Sequence, residues 1–144
     1  MIPLKVMKMK IKQRMQNRKN TNLLIVASTN NALKCSKGNA ESMSHKLVKF
    51  RLSNYCWANN LDFATEAVFK DNQRADFIVK DWMIAIEVLN SENLKDFIKK
   101  KYPIPTIPIP VEIELNELYK MMDDLEATEG TGADYYIKKY LSII

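Results

Sequence analysis

Three apolar runs follow one another so closely that no helix fits between them. Residues 63–69, 75–80 and 83–89 are rich in β-branched and aromatic side chains. Only the polar stretch Lys70-Asp71-Asn72-Gln73 and the pair Asp81-Trp82 separate them. A parallel pair needs a crossover of a dozen residues or more, so these strands form an antiparallel meander.

The other segments arrange themselves around that meander. Residues 41–59 read as a helix, with Met43, Leu47 and Phe50 on one apolar line and Val48, Leu52 and Tyr55 on its neighbour. Residues 93–101 form a short basic helix with Leu94, Phe97 and Ile98 on its apolar side. Pro103, Pro105, Pro108 and Pro110 forbid a helix over 104–111 and confine it to an edge strand or a polyproline-like stretch. Helices are expected at 114–126, with Leu115, Leu118, Tyr119, Met122 and Leu125 inward, and at 133–141 beyond Gly130 and Gly132. Near the N-terminus, Lys8 to Lys12 alternate basic and apolar, which suggests a short strand. A turn at 17–22 follows, and the run LLIVA at 23–27 reads as a buried strand. The order implies one α/β or α+β domain, with residues 1–22 as a basic arm or hairpin strand before a domain over 23–144.

The 144 residues suffice for one core, and no apolar run reaches the length of a membrane span. No apolar segment with a small-residue cleavage site follows the basic N-terminus, so an intracellular protein is expected. Cys35 and Cys56 fit two free thiols in a reducing compartment; a zinc site from Cys35, His45 and Cys56 lacks the paired spacing such sites use. The net charge of +5 is uneven: +9 over residues 1–40, which hold no acid, +1 over 41–110, and −5 over 111–144. A basic arm beside a near-neutral core suits phosphate-backbone binding, and equally a solvated tail.

Register brings three acids together. If Asp81 and Trp82 form a two-residue loop, Asp76 falls opposite Glu87. If three residues close the preceding turn, Glu66 falls opposite Asp76. Glu66, Asp76 and Glu87 then lie in one row on one face, with directly opposed side chains roughly 5 Å apart. Carboxylates that close repel unless a cation sits among them, and an all-oxygen set selects Mg²⁺ or Mn²⁺. The alternative is a half-exposed sheet whose outer face is acidic.

The stretch from Glu66 through Arg74-Ala75-Asp76-Phe77-Ile78-Val79 to Ile86-Glu87-Val88-Leu89-Asn90-Ser91 resembles the PD-(D/E)XK nuclease superfamily, and more narrowly its CoiA-like and Holliday-junction-resolvase-like branch. The resemblance covers roughly residues 38–111, including a preceding helix with Glu41, His45, Lys46 and Lys49. It implies a restriction-endonuclease-like core and a metal-dependent endonuclease acting on DNA. Asp76 and Glu87 would hold the metal, Glu66 would complete the site, and Glu41 or His45 would add a ligand or position water. It also implies a possible homodimer. One position departs from the pattern: the superfamily's Lys two residues after the Glu falls on Leu89. Lys95 and Lys49 are candidates for a displaced cation.

Several residues carry two readings. Arg74 and the run Lys99-Lys100-Lys101 suit a nucleic-acid backbone, or a solvated turn and a helix C-terminus. His45 is either structural or part of the substrate site. Trp57 reads as core and Trp82 as exposed, while Ser91 and Glu92 suit a helix cap. Two functions compete with the nuclease. One is an inactive nucleic-acid-binding module on the same fold, and the other a protein-interaction domain using the acidic helix 114–126.

Overall fold

The computed structural model describes residues 3–30, 42–90 and 93–143, so Glu41, Cys35, Ser91 and Glu92 lie outside it. The elements are α1 (Leu4–Leu24), β1 (Ile25–Thr29), α2 (Met43–Ala58), β2 (Phe63–Phe69), β3 (Arg74–Val79), β4 (Ile84–Leu89), α3 (Leu94–Lys99), β5 (Thr106–Pro110), α4 (Leu115–Ala127) and α5 (Ala133–Ile143). The strands form a mixed sheet in the order β1-β2-β3-β4-β5, with β5 parallel to β4 and the other pairs antiparallel. The expected meander is therefore present. Its registers follow the turn lengths: Thr65 pairs with Phe77, and Phe77 with Ile86. The proline-bearing β5 takes an edge, where a missing N–H leaves no ladder bond unmade.

Helices α2, α4 and α5 cover one sheet face. Leu52, Leu118, Met122 and Tyr140 pack there against Phe77, Ile84, Ile86 and Ile107, all buried. Burying such side chains contributes about 1.5–3 kcal/mol each. A smaller cluster on the other side joins Phe69, Ala75, Ile78 and Ala85 with Ile104, flanked by Leu24 and Tyr102.

The N-terminal segment is not an arm or a strand. Residues 4–24 form one helix, and the alternation at Lys8–Lys12 and the turn at 17–22 are overridden. The segment is rich in good helix formers and has no Gly or Pro, so local propensity favours a helix. Polar anchoring then fixes it. Arg18 grips the buried Asp81 carboxylate with Nε at 2.6 Å and Nη2 at 2.8 Å. Asn17 donates to the Asp81 carbonyl, and Arg14 pairs with Glu126 and Glu129. The strand after it starts two residues later than expected and is mostly exposed, with Leu23 and Val26 in solvent.

On α2 the line Val48, Leu52, Tyr55 is buried as expected, but Met43, Leu47 and Phe50 face solvent. The helix instead turns Lys49, Ser53 and Cys56 inward: Lys49 meets Glu66 on β2, Ser53 donates to the Lys49 carbonyl of its own helix, and Cys56 joins the apolar core. The tryptophans exchange their expected places. Trp57 is exposed, whereas Trp82 is buried against Gly130, whose φ of +83° and lack of Cβ allow that contact. The acids of α4 are engaged within the chain: Tyr55 donates to Asp123, Tyr136 to Asp124 and Tyr140 to Glu117. Among the described residues no helix is long and apolar enough to cross a membrane.

Candidate metal centre

The site is built where two strands stop pairing through their backbones. Between β3 and β4 the ladder runs from Val79–Ile84 to Phe77–Ile86. One residue further, side chains replace it. Glu87 Oε1 accepts the Asp76 N–H at 2.7 Å, and Asp76 Oδ2 accepts the Val88 N–H at 2.8 Å. Each carboxylate is thus pinned by one oxygen to the opposite strand. Among the described residues, Asp76 Oδ1 and Glu87 Oε2 accept no hydrogen bond.

The face pattern breaks at the same place. Strict alternation would group residues 75, 77 and 79, yet Phe77 and Val79 join the α2-side core while Ala75 packs on the other side. On β2 the corresponding break falls at Glu66, which lies opposite Asp76 with a left-handed φ of +48°. A non-glycine residue in that region costs about 1 kcal/mol or more, and such strain concentrates at functional sites. The three acids therefore share a register row, as the turn lengths predict, but not one uniform face.

Helix α2 supplies the groups above this row. His45 and Lys49 lie one turn apart on its sheet-facing side. His45 Nε2 sits 3.3 Å from Asp76 Oδ2, a contact that is an ion pair only when the imidazole is protonated. Lys49, fully buried, holds Glu66 Oε1 at 2.5 Å. Ser42 caps the helix by accepting the His45 N–H.

Beside the row opens a pocket of about 190 Å³. Its lining includes His45, Asp76, Glu87, Leu89, Lys100 and Tyr102. Burial, and then the Asp76 charge, push the Glu87 carboxyl well above the ordinary carboxylate range; Lys100 works in the opposite direction. Among the described residues the buried Tyr102 hydroxyl has no hydrogen-bond partner, and burial together with Glu87 and Asp76 raises its ionisation. Of the cations singled out in the sequence, Lys100 reaches this pocket. Lys95, Lys99 and Arg74 are exposed and do not line it, and neither does exposed Lys101, whose carbonyl accepts Gln73 Nε2. Tyr102 carried no sequence signal: it follows a lysine run and precedes a proline, outside any periodic pattern.

No group of three or more His, Cys, Asp or Glu side chains forms a preformed cage among the described residues. The donor set nevertheless fits a hard ion. Mg²⁺ is commonly held by one or two carboxylates, with waters and substrate phosphates completing its shell. Asp76 Oδ1 and Glu87 Oε2 would be two such donors, and the two carboxylates, if both ionised, repel one another less with a cation between them. Comparison with protein-family models, curated proteins and solved structures finds no match.

The raised Glu87 ionisation sets a pH dependence. The folded chain holds the Glu87 proton more tightly than the unfolded chain, where a glutamate titrates near about 4.3. This contribution to stability is full below that value and is lost as pH rises through the raised folded value. Thermal melts of metal-free protein from pH 5 to 8 are expected to fall more steeply for wild type than for Glu87→Gln. Parallel curves for the two would show that Glu87 is not under this stress.

Proposed function

We propose that this chain is a metal-dependent nuclease of the PD-(D/E)XK type that hydrolyses phosphodiester bonds in DNA, with Mg²⁺ or Mn²⁺ held by Asp76 and Glu87. One observation carries the reading. At the point where β3 and β4 separate, two carboxylates are each fixed by a backbone N–H and each keep a second oxygen for a ligand. The element order from α2 to β5 supports it, being a helix, an antiparallel meander, a helix and a parallel edge strand.

A divalent ion in this place supplies Lewis acidity toward a phosphate oxygen and acidifies water. The chain's own groups do the rest. Asp76 and Glu87 hold their inner oxygens still through strand hydrogen bonds, so the outer ones are preorganised. His45 orients Asp76 from above. Lys100, at the pocket, supplies the positive charge that the motif pattern would place at Leu89. Tyr102 offers a hydroxyl donor with no other engagement. Glu66 is drawn to Lys49 and acts by holding that buried cation rather than by ligating.

A second reading, a binding module without catalysis, draws on Leu89, which lines the pocket 5 % exposed where a lysine is expected. Incubating plasmid, linear and branched DNA with Mg²⁺ or Mn²⁺ separates the two. Products that disappear with EDTA and in Asp76→Ala support the nuclease. DNA bound but uncut under every metal condition supports the module.

A further inference from the structure

Helix α1 has two faces with opposite roles. At 100° per residue, Arg14, Asn17, Arg18 and Thr21 fall on one side, and all four are used to fasten the helix. Arg14 binds Glu126 and Glu129, Asn17 and Arg18 bind Asp81, and Thr21 is buried beside the Lys80 carbonyl. Lys5, Lys8, Lys12 and Lys19 fall on the opposite side, within an arc of about 60°. All four are exposed, and residues 1–40 hold no acid to offset them.

The arrangement is costly for an isolated protein. Lys5, Lys8 and Lys12 are spaced three and four apart, where like charges on a helix destabilise it by about 0.2–0.5 kcal/mol per pair. Val6 and Met9 lie on one flank of the lysines, and Leu4, Met7, Ile11 and Met15 form an exposed line on the other. That line lies roughly a quarter-turn from the lysines and borders the fastened face, whereas an interfacial helix sets its apolar and basic faces on opposite sides. The helix carries no aromatic residue, so it has nothing on which unpaired bases could stack. What remains is a straight, rigid row of charges about 21 Å long. A duplex presents one phosphate charge per roughly 1.7 Å of its axis. The helix ends against the β2–β3 turn, where Lys70 N–H donates to the Leu24 carbonyl and where Lys70 and Arg74 are exposed, Arg74 two residues before Asp76.

We infer that the Lys5, Lys8, Lys12 and Lys19 face of α1 is a docking surface for the phosphate backbone of duplex DNA. It rests on the nuclease reading only in making that duplex the substrate of the same chain. The test is binding alone, by fluorescence anisotropy of a labelled 20-base-pair duplex in EDTA over 50–200 mM KCl. Changing the four lysines to Gln is expected to weaken binding ten-fold or more at 100 mM salt and to lower the slope of log K against log salt by about three. The four-fold Lys→Arg variant should bind like wild type, and circular dichroism confirms that both remain folded. Wild-type protein that binds the duplex but shows no metal-dependent cleavage fails the nuclease reading and leaves this one standing. An unchanged slope in the Gln variant would overturn the inference. So would tighter binding to single-stranded DNA, to duplex RNA or to phosphatidylserine vesicles, or no duplex binding at all.

Discussion

Replacing Asp76 by Ala is expected to lower metal-dependent DNA cleavage by roughly three orders of magnitude or more, with duplex binding unchanged. The size follows from three losses at one atom group. One of the two proposed metal donors disappears, the Val88 N–H loses its acceptor, and His45 loses the carboxylate 3.3 Å from its Nε2. Asp76→Asn separates these. An amide oxygen keeps the bond to Val88 but is a poor ligand, so cleavage should fall nearly as far while the fold stays at wild-type stability. Gel assays with Mn²⁺, read beside thermal melts, measure both. Full activity in Asp76→Asn would remove Asp76 from the chemistry.

Lys49→Met should be the most destabilising single change, at about 3–5 kcal/mol. The lysine is fully buried, and its partner Glu66 is only 10 % exposed. Removing the cation leaves Glu66 uncompensated among Asp76 and Glu87, whose mutual repulsion already raises the Glu87 ionisation. The companion variant tests the cause. Lys49→Met with Glu66→Gln removes both charges and should recover most of the loss in urea melts, since a buried pair replaced together is often near neutral. If the double variant is as unstable as the single, packing around Lys49 rather than charge is responsible.

The parts of this molecule that turns and short spacings dictate were legible in the sequence. Residues 63–69 match β2, and the loops on either side of β3 are short enough to force the registers that place Glu66, Asp76 and Glu87 in one row. The prolines of β5 announced an edge. Features set by polar contacts across the chain were not legible. Helix α1 is anchored by Arg14, Asn17, Arg18 and Thr21, whose partners lie far along the chain and leave no local signal. Nothing local says that Lys49 turns inward, because its reason is Glu66 on a strand packed beneath. The separation of β3 from β4 arises when two side chains capture backbone N–H groups, which alternation rules assume are paired with carbonyls. Trp82 is buried for a related reason: a tight turn can be covered by a glycine from a distant loop.

The central claim is that Asp76 and Glu87 hold one divalent ion. Electron paramagnetic resonance of free Mn²⁺, titrated into wild type and into Asp76→Asn with Glu87→Gln, tests it most directly. The expected result is one bound Mn²⁺ per wild-type chain and none in the double variant, with both proteins folded. Equal Mn²⁺ uptake by the two proteins, or none by wild type at millimolar metal, would contradict it.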